Sequence, residues 1–163
     1  MTSTSSTRTT FALEAPPATP DIVITREFDA PRDRVFAAYV DAEAVSQWWG
    51  PRTYETVVDS LDARHGGTWR FTNRKDEDEH SFRGVYHDVV PAQRIVNTFE
   101  YEGMPGHVGL VTTTFEDLGG GRSKLTEVSL FPSFEDRDGI VASGMEDGAR
   151  ESLDRLDELL VRS

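Results

Sequence analysis

His107 is the side chain whose type and position best suit acid–base chemistry. It follows the turn sequence Gly103-Met104-Pro105-Gly106 and begins a predicted strand. A histidine at such a place can point into the interior of the domain and exchange a proton near neutral pH. The alternative is a histidine whose ring is satisfied locally by a carbonyl group of the turn.

Aromatic side chains provide the surface that an apolar or planar ligand needs. Trp48 and Trp49 are adjacent at the end of a predicted helix, just before Gly50 and Pro51. Because neighbouring helix positions point in different directions, we expect one indole in the core and the other at the mouth of a cavity. The alternative is that both indoles only pack. The predicted cavity contacts are Trp48, Trp49, Trp69, Phe71, Phe82, Phe99, Met145 and, as the polar contact, His107.

Three charged residues, Arg70, Arg83 and Glu127, lie inside predicted strands. A charge on the inner face of a sheet needs a partner or a ligand, because an unpaired buried charge is very costly. Since one bulge reverses the two faces of a strand, the sequence leaves open whether any of the three points inward. The alternative is the outer, solvated face of the sheet.

Several kinds of site are missing from the sequence. It has no cysteine, which excludes disulfides, thiolate metal ligands and a cysteine nucleophile. His65, His80 and His87 show no ligand-type spacing with one another. The acidic run before His80 is interpreted as a solvated hairpin tip, so no metal is predicted. No serine-nucleophile, phosphate-binding or dinucleotide-binding motif is present. No cofactor is predicted, and no catalytic residue is assigned.

The charge balance argues against two classes of partner. The 163 residues include 29 acidic and 17 basic side chains, which gives a net charge of −12. Nucleic acid and anionic membrane surfaces are repelled by such a chain, so neither partner is predicted. No apolar run approaches a membrane span, and no apolar signal-peptide core follows Met1. The expected location is the cytoplasm.

The elements that must position these side chains follow from the hydrophobic pattern. Residues 1–20 are rich in Ser, Thr and Pro and predict a disordered leader, followed by one domain over 21–163. A first strand begins at Asp21, with Arg26 interrupting its apolar positions and one face partly solvated. Two short helices open at Pro31 and Asp41. Further strands are predicted at 54–61, 67–73, 81–90, 94–101, 108–116 and 124–131. Their short links favour an antiparallel meander.

The last predicted element is one long amphipathic helix from Glu135 to Arg162. Ser133, three residues before Asp136, is expected to cap its start. Gly144 and Gly148 lie on a strip of this helix almost without side chains. Glycine inside a helix costs about 1 kcal/mol relative to alanine. The strip therefore predicts either close approach of another backbone or an empty space beside the helix.

Several short sequence motifs accompany this predicted order of elements. They are Phe28-Asp29-Ala30-Pro31, Trp48-Trp49-Gly50-Pro51, Gly66-Gly67-Thr68-Trp69, Gly84-Val85-Tyr86, Arg94-Ile95-Val96, Gly103-Met104-Pro105-Gly106-His107 and Ser143-Gly144-Met145. Over residues 21–162 the chain resembles the START-like helix-grip superfamily (SRPBCC), and within it the family named after the activator of heat-shock-protein-90 ATPase. The resemblance implies an α+β fold. A curved antiparallel β-sheet wraps around a long C-terminal α-helix, and two short helices follow the first strand.

The resemblance does not select one function, because the superfamily includes lipid carriers, polyketide cyclases and chaperone activators. The first hypothesis is a protein that binds a small hydrophobic molecule in a cavity between the sheet and the C-terminal helix. The second is a cyclase or dehydratase for a polyketide-like substrate, with His107 as acid or base. The third is a chaperone co-factor or stress-response partner. We favour binding over catalysis. An exposed edge strand would also allow a homodimer.

Overall fold

Eight strands form one antiparallel sheet with the spatial order β1-β2-β8-β7-β6-β5-β4-β3 in a computed structural model that describes residues 10–162. The strands are β1 (Phe11–Glu14), β2 (Asp21–Phe28), β3 (Glu55–Leu61), β4 (Thr68–Lys75), β5 (Asp78–Val90), β6 (Arg94–Tyr101), β7 (Gly109–Gly119) and β8 (Arg122–Leu130). The helices are α1 (Arg32–Val40), α2 (Ala42–Trp48), α3 (Phe134–Ala142) and α4 (Met145–Arg162). Strands β3 to β8 pair in chain order, which confirms the predicted meander.

The core lies between the inner face of the sheet and the helices. Every second residue of β2 is buried, and Leu125 and Phe115 lie opposite one another on the same face of β8 and β7. The leucines of α4 at positions 153, 156 and 160 belong to the same apolar cluster. A curved sheet closed by helices, the last one C-terminal, is the predicted α+β helix-grip fold.

The predicted leader, residues 1–20, contains a strand. Phe11–Glu14 forms strand β1, which pairs antiparallel with β2 from Phe11 opposite Arg26 to Glu14 opposite Val23. The connection to β2 is held by Arg137 of α3, whose buried Nη1 donates to the carbonyl oxygens of Pro16, Thr19 and Asp21 at 2.9, 3.1 and 2.9 Å. The part of the predicted leader before residue 10 lies outside the described residues.

The predicted long C-terminal helix is confirmed as α4, but it begins at Met145, and a separate helix, α3, forms the first part of the predicted range 135–162. Gly144 has a φ of +87°, a left-handed conformation that ends α3 and that side chains rarely adopt. Ser133 caps α3 as predicted, with its Oγ accepting from the backbone N–H of Asp136 at 3.0 Å. A Cβ added at Gly144 or Gly148 would meet no atom within 4 Å, so neither glycine serves close backbone approach.

Arg26 lies on the inner face of β2, where the sequence predicted only an interruption of an apolar strand. Its side chain is 1% exposed. Nη1 donates to Oδ1 of Asp154 at 2.7 Å, and Nη2 lies 3.8 Å from Oδ2 of Asp157, both on α4. Nε has no hydrogen-bond partner among the described residues. The ion pair between Arg26 and Asp154 joins β2 to α4. Because the side chain of Asp154 is 43% exposed, the pair connects the buried guanidinium of Arg26 to the solvent.

Candidate ligand-binding site

A cavity of about 110 Å³ lies between the two short helices and the middle of the sheet. Its lining residues come from α1, α2 and strands β4 to β8, with Trp49 directly after α2. They are Tyr39, Val45, Trp48, Trp49, Trp69, Phe71, Tyr86, Ile95, Asn97, Phe99, Val111, Thr113 and Glu127. None belongs to α3 or α4, so the predicted position beside the C-terminal helix is wrong. The space lies beside α1 and α2 instead.

The C-terminal end of α2 is held in place by α4. Arg155 donates from Nη2 to the carbonyl oxygen of Gln47 at 2.7 Å and from Nη1 to that of Gly50 at 2.8 Å. The backbone N–H of Gly50 donates to Oγ of Ser152 at 2.9 Å. The guanidinium of Arg155 therefore satisfies carbonyl groups at the C-terminal end of α2, where a positive charge is favourable. The anchor fixes the two tryptophans that precede Gly50.

Trp48 and Trp49 have different surroundings. Trp48 is buried, donates from its indole nitrogen to the carbonyl oxygen of Ala38 at 2.9 Å, and packs on Tyr39 with ring centroids 4.7 Å apart. Trp49 is half-buried and meets Phe71 edge to face at 5.1 Å. Both indoles line the cavity, one from the core and the other from the side of β4 and β5.

Glu127 is the only ionisable carboxyl group among the described residues that line the cavity. It lies on β8 opposite Ile24 of β2 and Thr113 of β7, so it shares the inner face with both. No hydrogen bond or ion pair within residues 10–162 reaches its carboxyl group. Its side chain lines the cavity, and removal from water raises its pKa to about 7. Near neutral pH the group can therefore hold or release a proton.

The other polar groups of the lining are neutral. Burial raises the pKa of Tyr86 to about 12, with a smaller contribution from the charge of Asp62. Burial, and secondarily the charge of Glu127, raises the pKa of Tyr39 well above its usual value. Asn97 uses its side-chain nitrogen to donate to the carbonyl oxygen of Thr98 at 2.9 Å. The site combines aromatic faces, neutral hydroxyl and amide groups, and one carboxyl.

Residues 29–161 match the family model described as Activator of Hsp90 ATPase homolog 1-like protein. The chain belongs to this family. The resemblance inferred from the sequence is thereby confirmed, and the match spans both helices and all strands that build the cavity. No match was found among curated proteins.

Solved structures share the fold of this family member. A solution structure from Arthrobacter aurescens has a TM-score of 0.85 at 23% identity, covering 93% of this chain and 92% of the other. A crystal structure from Chromobacterium violaceum has a TM-score of 0.77 at 28% identity, covering 86% and 96%. DynU16, a protein of the dynemicin biosynthetic locus, has a TM-score of 0.64 at 20% identity, covering 86% of this chain and 47% of its own.

Five of the eight predicted contact residues line the cavity, namely Trp48, Trp49, Trp69, Phe71 and Phe99. Phe82 is one layer away, with its ring 5.2 Å from that of Trp49. Met145 begins α4 and packs at the margin of the core. All three tryptophans of the chain therefore line the same cavity.

The prediction that His107 points into the cavity is wrong. Its side chain is 52% exposed, and Nδ1 lies 3.0 Å from Oδ2 of Asp136 in the first turn of α3. Strand β7 begins only at Gly109, so His107 belongs to the preceding loop. The hydrogen bond to Asp136, and then its charge, raises the pKa of His107. Glu127 takes the inner polar position that the sequence assigned to this histidine.

Of the three charged strand residues, only Glu127 faces inward. Arg70 binds Glu102 at 2.8 Å and Asp59 at 3.1 Å, and Arg83 binds Glu100 at 3.1 Å, all on the solvated face. The sequence carried a signal for Glu127, because it lies two residues after Leu125 in an alternating strand. That signal needs the register of β8 against β7, which has a bulge between Asp117 and Gly119.

Two absences hold for the described part of the chain. Between residues 10 and 162, no group of three or more histidines and carboxylates is arranged to hold a metal ion. Over the same range, no helix is both long and apolar enough to cross a membrane.

Proposed function

We propose that this protein binds a small, mostly apolar molecule in the cavity, with Glu127 as its polar contact. The observation that carries the proposal is an aromatic-lined space that also holds a carboxyl group without a protein partner. An empty space and an unpartnered buried charge each lower the stability of a fold. A ligand that fills the space and meets the carboxyl offsets both costs.

The volume limits the size of the ligand. An engineered apolar cavity of about 150 Å³ binds benzene, so the 110 Å³ found here suits a molecule of about four or five heavy atoms. Pockets for drug-sized ligands usually measure about 300–1,000 Å³. A larger ligand requires movement of the wall, and Trp49 is the half-buried wall residue at the end of α2.

Tryptophan fluorescence tests the proposal directly, because the three tryptophans of the chain all line the cavity. Titration with small apolar molecules of about four or five heavy atoms should produce a saturable change in emission. Val111→Phe places a ring in the cavity and should abolish the change. Leu110→Phe, at the exposed neighbouring position of β7, is the matched control and should retain it. Equal responses in both variants would contradict binding at this site.

A second candidate is an enzyme in which Glu127 transfers a proton. The observation that favours it is the position of the carboxyl group in the cavity wall, where removal from water raises its pKa to about 7. A general acid or base works best when its pKa lies near the working pH. The acid–base role that the sequence suggested for His107, which is exposed, is proposed for Glu127 instead. DynU16 belongs to a biosynthetic locus, but at 20% identity it supports only the fold.

The enzyme hypothesis is tested with small carbonyl substrates that fit the cavity. Glu127→Gln should keep substrate binding by fluorescence and abolish proton exchange at the carbon next to the carbonyl, measured as deuterium incorporation by NMR. His107→Ala should leave the exchange rate unchanged. Exchange that persists in Glu127→Gln would remove the catalytic role. A chaperone partner, a homodimer and a cytoplasmic location stay predictions.

A further inference from the structure

We propose that the cavity selects a small organic cation, a protonated amine, whose ammonium group pairs with the carboxylate of Glu127. The inference rests on the proposed function and names the class of its ligand. It follows from the charges on the wall, the absence of a partner for the carboxyl, and the aromatic faces around it.

The charges on the wall exclude an anionic ligand. Among the described residues that line the cavity, none is Lys, Arg or His, and Glu127 is the one acidic side chain. A carboxylate or phosphate ligand would lose its water shell, find no positive charge and meet a negative one. Fatty acids and phosphorylated molecules are therefore poor occupants.

A neutral ligand leaves Glu127 without a counter-charge, whereas a cation supplies one. Arg26, on the same face of the sheet, differs from Glu127 because its Nη1 lies 2.7 Å from Oδ1 of Asp154. An ammonium group provides both the opposite charge and up to three N–H donors. Because the nitrogen of the Asn97 amide is used by Thr98, its oxygen is left to accept a second N–H from the ligand.

The remaining walls suit a cation as well. The faces of Trp, Tyr and Phe rings attract cations through the negative electrostatic potential of the ring. The rings that line the cavity include Tyr39, Trp48, Trp49 and Phe71. The net charge of −12 also raises the concentration of cations around the whole molecule and repels anions.

Glu127 is the group expected to titrate between pH 5 and 9 in the cavity. The other titratable groups of the wall are Tyr39 from α1 and Tyr86 from β5, whose raised pKa values keep them neutral over that range. On the neighbouring strands Ile24 and Thr113 lie opposite it, and Arg26 of β2 is paired with carboxylates of α4. Amine affinity should therefore rise about tenfold per pH unit up to about pH 7 and then level off.

The experiment compares three ligands of nearly equal shape, namely isobutylamine, isobutanol and isobutyrate, by tryptophan fluorescence and by ¹H–¹⁵N NMR at pH 8. The amine is protonated there, since alkylamines have pKa values of about 10. We expect the amine to bind at least about tenfold more tightly than the alcohol, and isobutyrate not to bind.

Glu127→Gln should remove the preference for the amine and keep binding of the alcohol. Glu116→Gln, an exposed position on β7, makes the same change in net charge away from the cavity and should keep the preference. Circular dichroism checks that both variants are folded. Equal binding of amine and alcohol would overturn the inference and leave the proposed function intact. A preference that survives in Glu127→Gln would overturn the inference and also the role of Glu127 as the polar contact. Failure of all three ligands and of neutral apolar probes would overturn both.

Discussion

Two charged residues on the inner face of adjacent strands have opposite surroundings. Arg26 of β2 is paired with Asp154, which reaches solvent, while Glu127 of β8 faces the cavity without a partner among the described residues. Ile24 lies opposite Glu127 and two residues from Arg26, so the two charges are neighbours on one surface. A paired buried charge joins two elements, whereas an unpaired one is retained at a cost in stability. The unpaired carboxyl group of Glu127 therefore indicates that a ligand is expected in the cavity that this residue lines.

The largest effect in this comparison is expected for Arg26→Ala. It removes a buried side chain and leaves Asp154 and Asp157 without their cation, which should destabilise the fold by about 3–4 kcal/mol. Urea unfolding measures the change. The control is Arg83→Ala, whose exposed pair with Glu100 should cost less than about 1 kcal/mol. Equal losses in the two variants would mean that Arg26 does not anchor α4.

Glu127→Gln is expected to stabilise the fold at high pH, whereas Arg26→Ala destabilises it. The folded protein raises the pKa of this carboxyl from its ordinary 4.5 to about 7, so the wild type is most stable below about pH 4.5 and loses stability as the pH rises through 7. The variant should therefore be more stable above pH 7, by at most about 3 kcal/mol, and equal to the wild type at acid pH. Thermal unfolding across this range measures the gap. A variant that is less stable at every pH would contradict an unpaired carboxylate.

Arg155 is an intermediate case, a half-buried cation served mainly by carbonyl groups. Desolvation lowers its pKa, yet the guanidinium stays charged at neutral pH. Arg155→Ala should cost about 2 kcal/mol, because the carbonyls of Gln47 and Gly50 lose a charged donor. It should also weaken ligand binding, since the end of α2 carries two cavity tryptophans. Arg52→Ala, which removes an exposed pair with Glu158, is the control and should leave ligand affinity unchanged.

The smallest effect is expected at His107. Its raised pKa means that the pair with Asp136 stabilises the fold below about pH 6.5 and that this contribution is lost as the pH rises through the raised value. Asp136→Asn should lower the pKa of His107, measured by NMR titration of the imidazole. His107→Ala should not change ligand affinity. A loss of affinity in that variant would return the polar role to the histidine and weaken the contrast drawn here.

The features that depend on local pattern could be predicted from the sequence. Alternation revealed the strands of the meander, Ser133 was recognised as a helix cap, and the two tryptophans before Gly50 were placed near a cavity. These predictions need only spacing along one element and the chemistry of its ends.

The features that depend on distant partners could not. Phe11–Glu14 becomes a strand because β2 offers it an edge, and Arg137 of α3 then holds the connection. The face of Glu127 depends on cross-strand register, and the exposure of His107 depends on where α3 places Asp136. The helix break at Gly144 could have been anticipated, because glycine is the usual residue for a left-handed helix end.

Strand β1 has a practical consequence for shortened forms of the protein. It pairs with residues 23–26 of β2, whose backbone N–H and C=O groups on that side would otherwise be open to the solvent. Such a bare border recruits strands from other molecules. A chain trimmed to start at Asp21, where composition alone places the domain, should therefore self-associate and precipitate. One trimmed to start at Thr10 should stay dispersed.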